Sequence, residues 1–396
     1  MKVLLIHNYY RSGIPSGENA VVDSEISMLR AHGHEVEVFS RCNDSIRTVP
    51  VLGAAWSMIS MIANPFALVA LRRKVSEFKP DVVHVHNLFP LISPLALFAV
   101  GKIPCVMTLH NYRLFCAGET VCRGGRPCTI CLEARSVRGA LRHKCYRNSC
   151  LATIPLAVSI ALYRALGFWR RRISRFVALT EFQREMVVKA GLAAEKVVVK
   201  PNHYLCCGET VVPWNERADR VVFIGRVSPE KGCGVLIDAW NRLGSDAPEL
   251  VVLGDGTDLE SCKCACRSSR VEFKGAVDHD MVLSMVAGSK LLIVPSLCYE
   301  GLPTTILEAF SAGTPVLVSD LGAMPAMAGD AGRVFEAGSS ESLVAVFKEI
   351  WKDDAKLEQM GIKARERYLQ SYTAEVNYRN QLDLYNEVVR ENANRR

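Results

Sequence analysis

The sequence predicts an α/β protein with two doubly wound parallel-sheet domains. Short runs rich in Val, Ile and Leu recur along the chain, separated by helical patterns, and strands that are apolar throughout are typical of parallel sheets covered on both faces. The pattern occurs twice, and 396 residues are too many for one comfortable core. The predicted strands span residues 2–7, 34–40, 81–87, 104–110, 175–180 and 197–200 in the first half, and 220–225, 249–254, 271–277, 290–295 and 315–319 in the second.

Domain boundaries follow from this repeated pattern. Residues 1–203 and 204–373 each contain one set of strands, so each is predicted to form one domain. The tail carries Tyr378 and Tyr385 at helical spacing, so residues 374–396 are predicted to form a terminal helix that packs back on the N-terminal domain. Because ligands of open parallel sheets bind beyond the carboxyl ends of the strands, the two sheets are predicted to face each other across a cleft.

Charge and cysteine content narrow the class of protein only partly. The formal net charge of +7 is compatible with an anionic substrate, an anionic membrane surface or neither, and we predict no nucleic-acid partner. No secretory signal is visible, so a cytoplasmic location is expected, with the inner face of the membrane as an option. In the reducing cytoplasm, most of the 15 cysteines are expected to be thiols or metal ligands rather than disulfides. The basic residues form two bunches, Arg164, Arg170, Arg171, Arg172 and Arg175, and Arg135, Arg138, Arg142, His143, Lys144 and Arg147.

Two apolar stretches approach the length of about 20 residues that a membrane-spanning helix needs. Residues 51–71 are interrupted by Asn64 and Pro65, and residues 151–168 contain Pro155 and an arginine. Buried helices of a large α/β protein have the same composition, so we predict buried or surface-lying helices rather than spanning ones. Peripheral membrane contact stays open.

The loop after the predicted strand 220–225 has the sequence GRVSPEKG, residues 225–232. Gly225 ends the strand where the backbone must turn closely. Arg226 and Lys231 emerge at the ligand-binding edge of the sheet, where fixed positive charges suit a diphosphate. The alternative is a solvated basic turn.

The loop after strand 290–295 leads into another helix. Pro303 suits the first residue of that helix, and Gly301 allows the backbone to approach a ligand. Free N–H groups at a helix start bind anions. The free N–H groups around Leu302, Pro303, Thr304 and Thr305 are predicted to form such a site.

Two glutamates belong to the same segment. Glu308 lies four residues after Thr304, on the helix face that carries the anion site, where a carboxylate can accept hydrogen bonds from both ribose hydroxyls. Glu300 precedes the helix, nearer to the predicted cleft, where a sugar would lie. The alternative for Glu308 is a solvated helix face.

Together, these two loops resemble those of the retaining GT-B glycosyltransferases of glycosyltransferase family four, also called glycosyl transferases group 1. The matches are the G-R-x-S-P-E-K-G loop and an E-x7-E motif from Glu300 to Glu308, and the order of elements is similar across the whole chain. The resemblance implies two Rossmann-like domains and a hexosyltransferase-like, retaining enzyme that uses a nucleoside-diphosphate sugar.

The resemblance also implies roles for the donor-site residues. Arg226 and Lys231 would bind the diphosphate, and Glu308 would bind the ribose. Glu300 would contact the donor sugar, and Val277 would lie near the base. No divalent metal is needed for transfer in this family, since cationic side chains and helix ends neutralise the leaving diphosphate.

The N-terminal half would supply the acceptor site. Residues 12–19 follow the first strand and precede a helix, as the family's glycine loop does. Gly17 would allow the backbone to approach the phosphate or the donor sugar, and Glu18 beside it is also predicted to bind substrate.

Several histidines lie at the end or in the interior of a predicted strand. His110, at the end of strand 104–110, occupies the position of the family's active-site histidine, so the predicted catalytic residues are His110, Glu300, Arg226 and Lys231. A histidine at a strand end beside a cleft is more plausible as a substrate contact than as a core residue. His84 and His86 lie within a strand and are predicted to be structural.

Retention is the stereochemical outcome that the resemblance implies, with the departing diphosphate itself helping to deprotonate the acceptor hydroxyl on the same face. UDP- and GDP-sugars both fit the motifs. The acceptor is expected to be a lipid-linked saccharide, the end of a polysaccharide or a small natural product, and the basic clusters and apolar helices favour a membrane-bound acceptor.

Cysteines are dense directly after His110. Cys128 and Cys131 form a C-x2-C pair, a common half-site for zinc. Some members of the family resemble this segment, and by that resemblance Cys116, Cys128, Cys131 and Cys145 would bind a structural zinc ion within an insertion of about residues 112–150, with Cys122 and Cys150 left over. The alternative is a loop with free or partly oxidised thiols, since the spacing is not a standard zinc signature.

Three other classes of protein compete with a glycosyltransferase. A Rossmann oxidoreductase would need G-x-G-x-x-G after a strand, but the candidate at Gly254 and Gly256 lacks the third glycine, and no Walker A loop exists. A nucleotide-sugar epimerase shares the two-domain architecture, although the loop of residues 225–232 fits transferases better. A non-catalytic sugar-nucleotide-binding protein would bind the donor without transferring or hydrolysing it.

Overall fold

A computed structural model describes residues 1–10, 16–46, 50–204 and 211–394, without the side chains of residues 50–52 and 54. Four residues of the predicted glycine loop, Ser12 to Pro15, lie outside the described residues. Contacts within the chain separate two units. Unit 1 consists of Met1–Val121, Thr129–Asn202 and Asn377–Arg396, and unit 2 of Cys122–Cys128 and His203–Val376.

The regular elements of the described residues are numbered in chain order. The strands are β1 (Lys2–Tyr9), β2 (Glu35–Cys42), β3 (Val82–Asn87), β4 (Cys105–Leu109), β5 (Cys122–Arg123), β6 (Arg126–Pro127), β7 (Arg175–Ala178), β8 (Val197–Val199), β9 (Ala218–Ile224), β10 (Glu249–Leu253), β11 (Val271–Gly275), β12 (Ser289–Val294), β13 (Val316–Ser319) and β14 (Gly332–Phe335). The helices are α1 (Gly17–Ala31), α2 (Pro50–Ile62), α3 (Pro65–Phe78), α4 (Ile130–Glu133), α5 (Arg138–Arg142), α6 (Cys150–Ala165), α7 (Phe168–Arg172), α8 (Glu181–Lys189), α9 (Cys233–Leu243), α10 (Leu259–Ala265), α11 (His279–Ala287), α12 (Thr304–Ser311), α13 (Met324–Ala328), α14 (Ser340–Trp351), α15 (Asp354–Ser371) and α16 (Ala374–Asn394).

Each unit contains one six-stranded parallel sheet. The order is β2-β1-β3-β4-β7-β8 in unit 1 and β11-β10-β9-β12-β13-β14 in unit 2. Both orders reverse direction beside the first strand, as in doubly wound folds, so the predicted α/β class is confirmed. The sequence did not predict β14, because this four-residue strand, GRVF, has no continuous apolar run.

The core of unit 1 lies between its sheet and the helices that cover it. Val3 and Leu5 of β1 are fully buried beside Val22 of α1. Leu384 and Tyr385 of α16 belong to the same cluster, so the end of the chain covers this sheet. Burying large apolar side chains on both faces of the strands supplies most of the stabilising free energy of such a sheet.

The two long apolar stretches form separate, shorter helices. Asn64 caps α3, accepting a hydrogen bond from the Ala67 N–H, and Pro65 occupies the first turn, so α2 and α3 meet at a break. Among the described residues, no single helix has the length and apolar composition to cross a bilayer; one bent pair, residues 55–62 and 65–78 at 59°, meets those criteria together. The helix α6 buries one face and exposes the other.

One disulfide corrects the expectation for Cys122. The sulfurs of Cys122 and Cys298 are bonded within unit 2, with their Cα atoms 5.6 Å apart. Cys122 was predicted to be left over from the metal site, in a chain whose cysteines are mostly thiols or metal ligands. The two residues are 176 positions apart, so spacing within the cysteine-rich segment gives no indication of the pairing.

Candidate functional site

The loop of residues 225–232 is held tightly at the carboxyl edge of the unit 2 sheet. The N–H of Gly225 donates to the carbonyl of Leu253, which extends the pairing of β9 with β10 by one residue. Gly232 adopts φ +71°, and a Cβ atom there would lie 1.9 Å from the carbonyl oxygen of Pro295. Only glycine fits this approach, which sets the loop directly against the segment that follows β12.

The structure brings the two donor-site motifs together. The N–H of Leu297 donates to the Glu230 carbonyl at 2.8 Å, joining the two loops through their backbones. The ammonium of Lys231 lies 2.7 Å from Oε1 of Glu300, and the same oxygen accepts a hydrogen bond from the Ser296 hydroxyl at 2.7 Å. Two residues 69 positions apart in sequence therefore form one ion pair at the edge of the sheet.

Arg226 is placed differently from Lys231. Its side chain is 69% exposed, against 29% for Lys231, and its ion-pair partner is Glu230 at 3.5 Å. The structure therefore fixes one of the two predicted cations beside Glu300 and leaves the other largely in solvent.

The helix α12 begins at Thr304, with Pro303 as its N-cap residue and no side chain capping it. The helix therefore starts one residue later than predicted, a difference within the usual uncertainty of helix ends. The first N–H groups of a helix have no partner within it, so this start, together with Gly301 and Leu302 before it, suits an anion. Thr304 and Thr305 lie at this start, as predicted.

Glu308 is not on a solvated helix face. Its side chain lies on α12 and is only 7% exposed, and its Oε2 has no hydrogen-bond partner among the described residues. Burial raises the pKa of Glu308 to about 7. A buried carboxylate oxygen without a hydrogen-bond partner is costly, so this position suits a hydrogen-bond donor from a ligand.

Val277 follows the neighbouring strand edge. The N–H of Gly254 donates to the carbonyl of Gly275 at 2.8 Å, so the ends of β10 and β11 are joined. Val277 comes two residues later and is partly exposed, just before the N-cap Asp278 of α11. It lies at the same end of the unit 2 sheet as the loop of residues 225–232.

In unit 1, His110 directly follows β4, as predicted. Its Nε2 lies 2.9 Å from Nδ1 of His86, and the two rings are stacked with centroids 5.2 Å apart. Desolvation, followed by His86 and His7, lowers the pKa of His110 well below its usual range. The imidazole is therefore neutral near pH 7.

Glu18 lies in the first turn of α1, directly after Gly17. The Tyr10 hydroxyl donates to its Oε2 at 3.4 Å, and the amide of Asn111 donates to the same oxygen at 3.5 Å. Its Oε1 has no hydrogen-bond partner among the described residues. Burial raises the pKa of Glu18 to about 7, although the cation of Arg113 opposes this. Gly17 and Glu18 lie at the start of α1, a second helix start besides that of α12.

Sequence reasoning missed a buried polar cluster behind His110. Nδ1 of His84 lies 2.8 Å from Oε1 of Glu25 and 2.7 Å from the Tyr385 hydroxyl, and His86 is 3.7 Å from the same carboxylate. Burial raises the pKa of Glu25, but His84 and His86 lower it by more, so the pKa lies well below its usual range. The alternation of His84 and His86 in one strand, which places both on one face, could have indicated such a cluster.

The same cluster is a potential metal-binding group. Among the described residues, Glu25, His84 and His86 form one group of three ligand-type side chains whose donor atoms lie within 4.8 Å of one another. The group does not include the predicted cysteines. Of those, Cys116 and Cys131 are buried, and Cys128 and Cys145 are partly buried.

Two protein-family models match the chain. One, described as glycosyl transferases group 1, matches residues 218–353, and the other, described as a glycosyl transferase 4-like domain, matches residues 16–203. Together, they account for most of the sequence, one in each unit.

Individual proteins are similar over nearly the whole chain. Glycogen synthase of Mycobacterium tuberculosis is 24% identical, over 93% of this chain and 90% of its own. Phosphatidyl-myo-inositol mannosyltransferase of Mycolicibacterium smegmatis is 23% identical, over 87% and 83%. Among solved structures, Anabaena HepE in complex with UDP and glucose matches with a TM-score of 0.64 at 17% identity, over 97% of this chain and 99% of its own.

Proposed function

Because the chain belongs to the group 1 glycosyl transferases and has the GT-B fold, we propose that it moves a sugar from a nucleoside-diphosphate sugar to an acceptor hydroxyl with retention of configuration. The observation that carries the proposal is Glu308, a buried carboxylate with an unpartnered oxygen, on the helix that follows the Lys231–Glu300 ion pair. The complex of HepE with UDP and glucose supports this class of donor.

Each donor-site group has a chemical role in this proposal. Lys231 neutralises the diphosphate as negative charge develops on it, and the N-terminus of α12 donates N–H groups to the same phosphates. Glu308 accepts hydrogen bonds from the ribose hydroxyls. Glu300 holds Lys231 in position and contacts the donor sugar. The exposed side chain of Arg226 binds the diphosphate from the solvent side.

The transfer step needs no protein nucleophile. The bond between the anomeric carbon and the diphosphate oxygen breaks, and the acceptor oxygen bonds to that carbon on the same face. The acceptor proton passes to the leaving diphosphate oxygen. Atoms and charge balance without an external oxidant, reductant or metal-bound water.

Unit 1 supplies the acceptor side of the reaction in this proposal. Neutral His110 hydrogen-bonds a substrate hydroxyl, and Glu18, whose Oε1 has no hydrogen-bond partner among the described residues, accepts a hydrogen bond from another. A lipid-linked glycan, a polysaccharide end and a small molecule remain the acceptor classes. A relative named for phosphatidyl-myo-inositol supports the first of these. The proposed location is the cytoplasm, with the inner face of the membrane as an option.

The structural zinc ion remains a separate proposal, resting on the C-x2-C spacing and on the family resemblance. If Cys116, Cys128, Cys131 and Cys145 hold it, elemental analysis of the purified protein will find about one zinc per chain, and Cys131→Ser will remove it. Zinc that survives Cys131→Ser and is lost with His84→Gln would assign the metal to the histidine cluster instead. A protein without zinc ends the proposal.

The function is tested by measuring donor binding and product together. We expect one of UDP or GDP to raise the unfolding temperature, since binding stabilises the folded state by mass action. The matching sugar nucleotide with a set of acceptors should yield a glycoside whose anomeric proton coupling in NMR matches that of the donor. An inverted product would refute retention. Conversion of the donor sugar without acceptor would indicate an epimerase, and binding without any turnover a non-catalytic protein.

A further inference from the structure

One surface of unit 1 combines exposed apolar side chains with an excess of positive charge. Residues 134–180 contain ten Lys and Arg and no Asp or Glu. In sequence, the exposed basic residues flank α6, with five before its start and two after its end. They are Arg135, Arg138, Arg142, Lys144, Arg147, Arg170 and Arg171.

The helix α6, between these basic groups, exposes only apolar side chains over most of its length. Leu151, which is 72% exposed, begins a stripe at spacings of three and four residues, which keeps its members on one face of a helix. The opposite face is buried in unit 1. The exposed members of the stripe are Leu151, Ile154, Val158, Leu162 and, directly after the helix, Leu166.

Exposed apolar side chains also lie on α2, which neighbours α6, and on α3. The Tyr163 hydroxyl of α6 donates to the carbonyl of Ile62 at 2.9 Å, which joins α6 to α2. On α2, the exposed Trp56 contacts Phe66 of α3, with ring centroids 5.7 Å apart, and Phe66 is itself 70% exposed. Ile59 and Val69 extend the exposed apolar area on these two helices.

We propose that this surface, formed by α2, α3, α6 and the arginines that follow α6, docks on the anionic face of a lipid bilayer. Helices with an apolar face and flanking basic residues lie in the plane of the membrane, with the apolar side chains among the acyl chains and the cations at the headgroups. Exposed apolar side chains grouped on neighbouring helices suit an interaction site. The proposal concerns binding and stands independently of sugar transfer.

The positive charge of this surface favours an anionic bilayer over a second copy of the chain as its partner. A second copy of the chain would bring two sets of cations together, which like-charge repulsion disfavours. Acidic groups near the surface are already paired: Glu77 lies 2.7 Å from Arg73, and Glu387 lies 2.7 Å from Arg175. The cations at the ends of α6 are therefore left for an external anionic surface.

Vesicle flotation with the full chain tests the proposal. We expect the protein to float with phosphatidylcholine vesicles that contain about a third of phosphatidylglycerol, and much less with phosphatidylcholine alone. Binding should weaken several-fold at high salt, because salt screens the headgroup charge. Equal binding to both vesicle types would overturn the electrostatic part, and no binding to either would overturn the whole.

Exposed residues allow variants that leave the fold intact. Leu151→Ser with Val158→Ser should reduce flotation at least tenfold, as should Arg170→Glu with Arg171→Glu. The matched controls are exposed residues of unit 2, Ile362→Ser with Leu369→Ser for the apolar pair and Arg267→Glu with Arg270→Glu for the charged pair.

The controls and a solution measurement decide the outcome. Control variants that lose flotation as strongly would show non-specific adsorption and contradict the proposal. A wild-type dimer in light scattering that Leu151→Ser with Val158→Ser dissociates, without vesicle binding, would assign the surface to a second copy. Turnover of a water-soluble acceptor should stay unchanged in all four variants, which keeps this test separate from that of the enzymatic activity.

Discussion

The ammonium group of Lys231 and the carboxylate of Glu300 lie 2.7 Å apart and join two loops of the unit 2 sheet. The pair is partly buried and is reinforced by the Ser296 hydroxyl on the same carboxylate oxygen. A lysine on a flexible stem is thereby held at one point of the sheet edge. This fixed position is what electrostatic stabilisation of a leaving diphosphate requires, since a preoriented charge needs no reorganisation during the reaction.

Lys231→Ala should lower the rate of transfer by about 10²-fold or more, because it removes a preorganised charge from the diphosphate. Steady-state kinetics with the best donor measures this. Lys263→Ala is the matched control, since Lys263 also forms an ion pair, with Glu260 at 2.8 Å, but on the exposed helix α10. If Lys231→Ala keeps a turnover within a factor of two of wild type, the assignment of Lys231 to the diphosphate site is wrong.

Glu308→Gln should weaken binding of the nucleoside diphosphate by about tenfold or more. The amide keeps the shape of the carboxylate but loses the charge that would strengthen the proposed hydrogen bonds to the ribose. Isothermal titration calorimetry measures the dissociation constant. Glu341→Gln, on the exposed surface of the same unit, makes the same chemical change and should leave the constant as it is. An unaltered constant in Glu308→Gln would refute the ribose role.

The same substitution should change how stability depends on pH. Burial raises the pKa of Glu308 from 4.5 to about 7, so the folded state holds its proton more tightly than the unfolded state does. The free energy of unfolding therefore falls as pH rises from 4.5 to 7, by about 3 kcal/mol from this group. Glu308→Gln removes this loss, so its stability relative to wild type should increase between pH 5 and pH 8. Denaturant unfolding at each pH measures the difference, and a difference independent of pH would contradict the assigned pKa.

The donor loops could be predicted because their chemistry is local. The motif from Gly225 to Gly232 and the spacing of Glu300 and Glu308 lie in continuous segments that follow apolar strands, and parallel strands bring their carboxyl ends to one edge. Because both loops lie at this edge, contact between Lys231 and Glu300 could be expected. The burial of Glu308 could not be expected, because it depends on which residues cover α12 and not on the helix itself.

Features that depend on the packing order of elements or on distant pairing were not accessible. The alternation of His84 and His86 indicates a shared face, but their contact with Glu25 needs α1 and α16 packed over β3, and no local pattern specifies that packing. Cys122 and Cys298 come from segments 176 residues apart. In both cases a long-range contact, and not a local pattern, sets the chemistry.

If His110 contacts substrate as a neutral imidazole, as proposed, His110→Ala should lower turnover by about 10²-fold at every pH between 6 and 8. Desolvation lowers its pKa well below the usual range, so wild type carries no proton change at this residue across that interval. The ratio of wild-type to variant kcat/KM should therefore be constant, and pH-rate profiles of both proteins measure it. His143→Ala, at an exposed histidine of unit 1, is the control and should behave as wild type. A ratio that collapses towards one at pH 6 would show that His110 acts in a protonation state that titrates in this range, contrary to its desolvated position beside His86.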